Sequence, residues 1–218
     1  MPITKGLDKL IKYNDRSIRN LTTTPAAAGG DTGAIVLIKT LTASSSATLS
    51  FVHGADNVVL DSTYPIYKFE FINCHPATNT VKFQFNMSTD GGSNYNVTKT
   101  TTTFYAIHDN VGSSNLAYDT GSDLAQDTGD AVLNTVTGNA NSSSCSGSMM
   151  IFNPSSSTFV KHFISQTHTT RGDSDGTIYN WFGAGYGNTT SAVNGIKFNF
   201  ASGNIDSGTI KLYGIKDS

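Results

Sequence analysis

The stretch Tyr67-Lys68-Phe69-Glu70-Phe71-Ile72 decides the fold. Tyr67, Phe69 and Phe71 fall on one side of an extended chain, and Lys68, Glu70 and Ile72 on the other. A period of two with aromatics on one face predicts a half-buried strand. The next stretch repeats the pattern, with Val81, Phe83 and Phe85 alternating with Lys82, Gln84 and Asn86.

Working outward, the same signature recurs along most of the 218 residues. Strands are predicted at Ala34 to Leu41, Ala47 to Val52, Tyr64 to Cys74, Thr101 to Ile107, Ser148 to Phe152, Thr158 to His168, Thr177 to Phe182, Gly195 to Phe200 and Thr209 to Ile215. Turn chemistry separates them: Ser44-Ser45-Ser46, Asp90-Gly91-Gly92, Arg171 to Gly176 and Asn204 to Gly208. Residues 109–145 read as a long Gly/Ser/Asn/Asp-rich excursion with one weak element at Ala131 to Val136. The glycine run Gly183 to Gly187 reads as a bulge or bend. Nine or ten strands without interleaved helices exclude βαβ units. The expected fold is all-β, an antiparallel jelly-roll-like β-sandwich spanning residues 31–218.

Residues 1–30 form a separate expected unit. Leu7, Leu10, Ile11, Ile18 and Leu21 recur at helical spacing, flanked by Lys9, Lys12, Arg16 and Arg19. This predicts a short basic N-terminal helix, closed by Thr22 to Pro25 and a linker at Ala26 to Gly30. The stretch carries +3 and the remainder −5. An isolated helix of this length is marginal in water, so its apolar stripe needs a partner. These residues are the expected anchor or oligomerisation segment.

Composition narrows the functional classes. Charged residues are 14%, against about 25% in a typical domain, and Ser, Thr, Asn and Gly take their place. A net charge of −2 argues against a nucleic-acid partner. No apolar run reaches the ~18 residues of a membrane helix, and Met1 to Leu10 lack the apolar core of a secretory signal. Synthesis in a cytoplasm is the expectation.

A search for catalytic spacing finds little. His162 and His168 lie on one strand face but ~20 Å apart at strand rise. The glycine run has no helix after it to receive a phosphate. Asp109, Asp119, Asp123, Asp127 and Asp130 crowd the middle excursion without an ordered calcium-loop pattern. Glu70 is the only glutamate. The expectation is no enzyme, no cofactor and no metal site. Cys74 and Cys145 read as two buried small hydrophobes or as a pair joined by the fold. Arg171-Gly172-Asp173 reads as turn chemistry. Tyr179, Trp181 and Tyr186 beside glycines read as core, as subunit contacts, or as a stacking surface for glycans.

Two segments carry a resemblance. The first is Asp61-Ser62-Thr63-Tyr64 with Tyr67-Lys68-Phe69, Asn73 and His75-Pro76-Ala77-Thr78-Asn79. The second is Ser202-Gly203-Asn204-Ile205 leading into Ser207 to Ile215. Together they resemble the tail-fibre-like virion structural proteins of marine and cyanobacterial tailed phages, over roughly residues 33–216. The resemblance implies a jelly-roll or lectin-like sandwich on the virion surface, as a capsid decoration protein or a short tail or collar fibre. It implies a homotrimer in contact with other virion proteins, and it brings no catalytic residues. Host surface glycans are the further expected partner, and a carbohydrate-binding module is the alternative reading.

Overall fold

The computed structural model describes residues 34–172 and 176–217. The anchor residues Leu7, Lys9, Leu10, Ile11, Lys12, Arg16, Ile18, Arg19 and Leu21, and with them the predicted helix, lie outside the described residues, as does Asp173.

Twelve strands and no helix make up the described residues. They are β1 (Ile35–Thr42), β2 (Leu49–Val52), β3 (Ile66–Pro76), β4 (Val81–Ser88), β5 (Lys99–His108), β6 (Ser114–Tyr118), β7 (Ala131–Thr137), β8 (Cys145–Phe152), β9 (Lys161–Thr170), β10 (Ile178–Gly187), β11 (Gly195–Phe200) and β12 (Ile205–Ile215). All pairings are antiparallel. One sheet has eight strands in the order β1-β12-β3-β8-β9-β10-β5-β6, and the other four in the order β2-β11-β4-β7.

The aromatic alternation is what joins the two sheets. Tyr67, Phe69 and Phe71 of β3 are buried, whereas Lys68 and Glu70 are not. Across from them stand Phe51 of β2, Phe83 and Phe85 of β4, and Phe198 of β11, all fully buried. Phe198 is the hub, its ring centroid 5.1 Å from those of both Phe69 and Phe71. Burying each such side chain stabilises the fold by about 2 kcal/mol, and the tilted and edge-on ring pairs add a smaller geometric term.

Three local expectations are corrected. The excursion at 109–145 contains a further strand, β6, which pairs with β5. The glycine run is neither bulge nor bend: β10 continues through Gly187, in unbroken register with β5 and β9. Its inward-facing glycines make room for neighbours. A Cβ on Gly185 would lie 2.5 Å from the Thr100 carbonyl oxygen and 2.9 Å from the Phe163 ring, and one on Gly187 would lie 2.7 Å from Met87 Cε. The segment Asn204 to Gly208 is mostly strand rather than turn. β12 begins at Ile205 and absorbs its irregularity as register shifts around Ser207.

Candidate functional site

The register of the large sheet sorts its side chains into rows on the face turned away from the small sheet. One row runs Leu37, Tyr213, Lys68, Met150, Ile164, Ala184, Thr102. The next runs Thr40, Lys211, Glu70, Ser148, Gln166, Phe182, Phe104, Tyr118. A third, at one corner, is wholly apolar: Ile35, Ile215, Ile66, Phe152. An apolar belt therefore crosses the sheet diagonally from Ile35, Ile215, Ile66 and Phe152 through Met150 and Ile164 to Phe182, Phe104, Tyr118 and Leu116. Among the described residues nothing covers it. Phe104 and Ile164 are each 44% exposed and Leu116 is 70% exposed. Contiguous apolar surface of this kind marks interaction sites.

The belt contains a groove of about 290 Å³ between Phe104, Phe182, Met150 and Ile164, floored by Gly183 and Ala184. Its rim is polar, with Thr102, Ser148 and Gln166. Beside the belt, Lys68 Nζ donates to Glu70 Oε1 at 2.8 Å. That hydrogen bond is the main reason the Glu70 carboxyl sits below its ordinary range.

The three aromatics singled out for glycan or subunit contact do not form one platform. Alternation puts Tyr179 and Trp181 on the inner side of β10 and Tyr186 on the open face. Trp181 is 2% exposed, packed against Tyr105 at 4.8 Å between ring centroids, with Tyr179 stacked at 6.0 Å. Tyr186 lies 6.1 Å from His162, and its hydroxyl accepts from Gln126 Nε2 at 3.2 Å.

The aspartates of the middle excursion each hold a local turn or side chain. Asp109 Oδ1 accepts from the Val111 and Ser113 amides, Asp119 Oδ1 from Gly121 and Asp127 Oδ1 from Gly129. Asp123 accepts from the Tyr118 hydroxyl at 2.8 Å. The bonds of Asp109, Asp119 and Asp127 to the amide two residues on are Asx turns. Among the described residues no three His, Cys, Asp or Glu side chains gather as a metal would require. Cys74 and Cys145 are both free and fully buried, and they face each other as register partners across β3 and β8. Their adjacency was not readable from a separation of 71 residues.

A second constellation, absent from the sequence reading, lies inside the molecule. Asn86 on β4 and Lys99 at the start of β5 are 1% and 0% exposed. Lys99 Nζ donates to Asn86 Oδ1 at 2.6 Å and to the Val97 carbonyl at 2.6 Å. Asn86 Oδ1 also accepts from the Met87 amide at 2.9 Å. Asn86 Nδ2 donates to Asp130 Oδ1 at 2.8 Å and to the Thr128 carbonyl at 3.0 Å. Asp130 is further held by Gln84 at 2.7 Å and lies 3.5 Å from Lys197 Nζ. Burial opposes its ionisation, but the bonds from Asn86 and Gln84 and the Lys197 charge win, and its carboxyl sits below the ordinary value.

No protein-family model, no curated protein and no solved structure matches this chain.

Proposed function

We propose that the chain is a non-enzymatic structural protein of the exterior of a tailed-phage particle, a capsid decoration protein or a short tail or collar fibre, working as a homotrimer. The observation that carries this reading is the open apolar face of the large sheet. A protein that spends its life alone in water has no use for a belt running from Ile35 to Leu116; a subunit packed among copies of itself does. The aromatics and Met150 on that face are residue types enriched in subunit contacts.

The finer fold reading is a jelly roll. The neighbouring strands β1-β12-β3-β8 form one four-strand set and β2-β11-β4-β7 the other, with β3 packed on β2, β11 and β4 through Phe69 and Phe71. That is the order produced by two interlocked Greek keys, an architecture common in viral shells and lectins. β9, β10, β5 and β6 then extend the large sheet beyond β8. The resemblance of residues 33–216 to tail-fibre-like virion proteins supports the same placement. Residues 1–30, with their basic apolar stripe, are the proposed attachment segment.

Particles purified from a lysate in which the chain is made test this reading. Antibodies raised against residues 35–217 should decorate intact particles, and the purified chain should sediment as a trimer. A chain found only in the particle-free fraction would overturn it.

A further inference from the structure

We propose that Lys99 and Asn86 become joined by an intramolecular isopeptide bond, with Asp130 moving the protons. Nothing in the assembly reading above requires this; it stands on the buried constellation alone.

The bond needs an amine, a carboxamide, a donor for the oxygen, and an acid–base group, all shielded from water. Each is in place. Lys99 Nζ already touches the Asn86 carboxamide, at 2.6 Å from Oδ1. The Met87 amide points at the same oxygen, where negative charge develops when the carbonyl carbon is attacked. Asp130 Oδ1 accepts from Nδ2, the nitrogen that must leave. Both reacting side chains are at least 99% buried. Burial also pushes the Lys99 ammonium down to about 8, against the opposing pull of Asp130 and Asp127. At neutral pH roughly one molecule in ten then holds the nucleophilic free amine.

The chemistry balances without an oxidant. The Lys99 ammonium first releases one proton to solvent. The free amine attacks Cγ of Asn86, forming the new C–N bond and leaving negative charge on Oδ1 beside the Met87 amide. The attacking nitrogen loses a proton and Nδ2 gains one through the Asp130 carboxyl. The Cγ–Nδ2 bond breaks, ammonia departs and takes up a proton from solvent to leave as ammonium, and Asp130 ends as a carboxylate. The product ties β4 of the small sheet to β5 of the large one.

Lys161 supplies the internal contrast. It is equally buried, but its Nζ donates to the backbone carbonyls of Ser156, Phe159 and Thr189. A backbone carbonyl offers no ammonia to lose, so Lys161 stays unlinked.

Intact-mass measurement of the full chain, followed by trypsin digestion, tests the proposal. The expected result is a chain lighter than its sequence by one ammonia and no cleavage after Lys99; because no Lys or Arg lies between Asn86 and Lys99, a further cut before Asp90 then leaves a branched peptide joining the two segments. Lys99→Arg and Asn86→Ala should each restore the missing mass, Asp130→Ala should leave most of the chain unlinked, and Lys161→Arg should leave the link intact. A succinimide at an asparagine loses the same mass, but its peptide stays linear and it persists in Lys99→Arg. A wild-type chain that shows β-sheet circular dichroism, has its full sequence mass and yields only linear peptides overturns the proposal, whatever the variants do.

Discussion

Phe104 on β5 and Phe182 on β10 stack across the open face of the large sheet, their ring centroids 4.8 Å apart and their planes 10° from parallel. Each is the other's register partner, and Phe104 remains 44% exposed. On the assembly reading, a sister subunit covers this pair. Phe104→Glu should then leave the fold intact, since the side chain points away from the core, but shift sedimentation from trimer to monomer. Unchanged sedimentation would move the subunit contact to another surface.

Gly185 and Ala184 are neighbours in sequence on opposite faces of β10. A Cβ at Gly185 would collide with the backbone of Thr100. Gly185→Val should destabilise the body by about 2 kcal/mol or more through overpacking. Ala184→Val, on the open face, should change stability by no more than about 0.5 kcal/mol. Urea midpoints of the two variants check this; equal costs would contradict the inward packing of the glycine run.

The buried thiols should be chemically quiet. Burial raises the Cys145 thiol far above its ordinary value, and its contact with Cys74 raises it further. Because the thiolate is the reactive form, alkylation at pH 8 should be slower in the folded chain than in denaturant by about two orders of magnitude. Mass spectrometry after timed iodoacetamide exposure reads the ratio directly.

Acid should loosen the turn after β4. The Asp90 carboxylate accepts from the Asn94 amide at 2.8 Å, from Asn94 Nδ2 at 2.7 Å and from the Ser88 hydroxyl at 2.7 Å. These bonds, those of Asn94 foremost, bring its pKa down to about 2. A carboxyl lowered on folding adds stability above its unfolded value near 4 and loses it as pH falls toward 2. The stability gap between wild type and Asp90→Ala should therefore shrink as pH drops from 5 to 2. A gap constant over that range would show that the charge of Asp90 does not matter to the turn.

Much of the fold was readable because one face of each inner strand is dry. Tyr67, Phe69 and Phe71 announce β3, and Gly195 to Phe200 coincides with β11. The edge strand β6 escaped because Ser114 to Tyr118 has no fully buried face to stamp a pattern on it. The glycine run misled because the reason for it lies in other strands, in Phe163, Thr100 and Met87. That misreading also hid where the aromatics point. Counting β10 unbroken through Gly187 puts Tyr179 and Trp181 on one parity and Tyr186 on the other. The polar constellation of Asn86, Lys99 and Asp130 had no local signature at all. Strands β4 and β5, from two different sheets, and the residue just before β7 assemble it, and a single sequence carries no record of which polar residues meet across them.

Ile35, at the start of β1, is the register partner of Ile215, at the end of β12. The body's first and last strands therefore begin and finish at one corner of the large sheet. A pull applied between those two points would peel β1 from β12 one hydrogen-bonded pair at a time, the geometry in which a sheet yields at low force. A body tethered through Ile35 alone spares that seam. On the assembly reading, drag on a subunit held that way would instead be borne by the whole sheet at once.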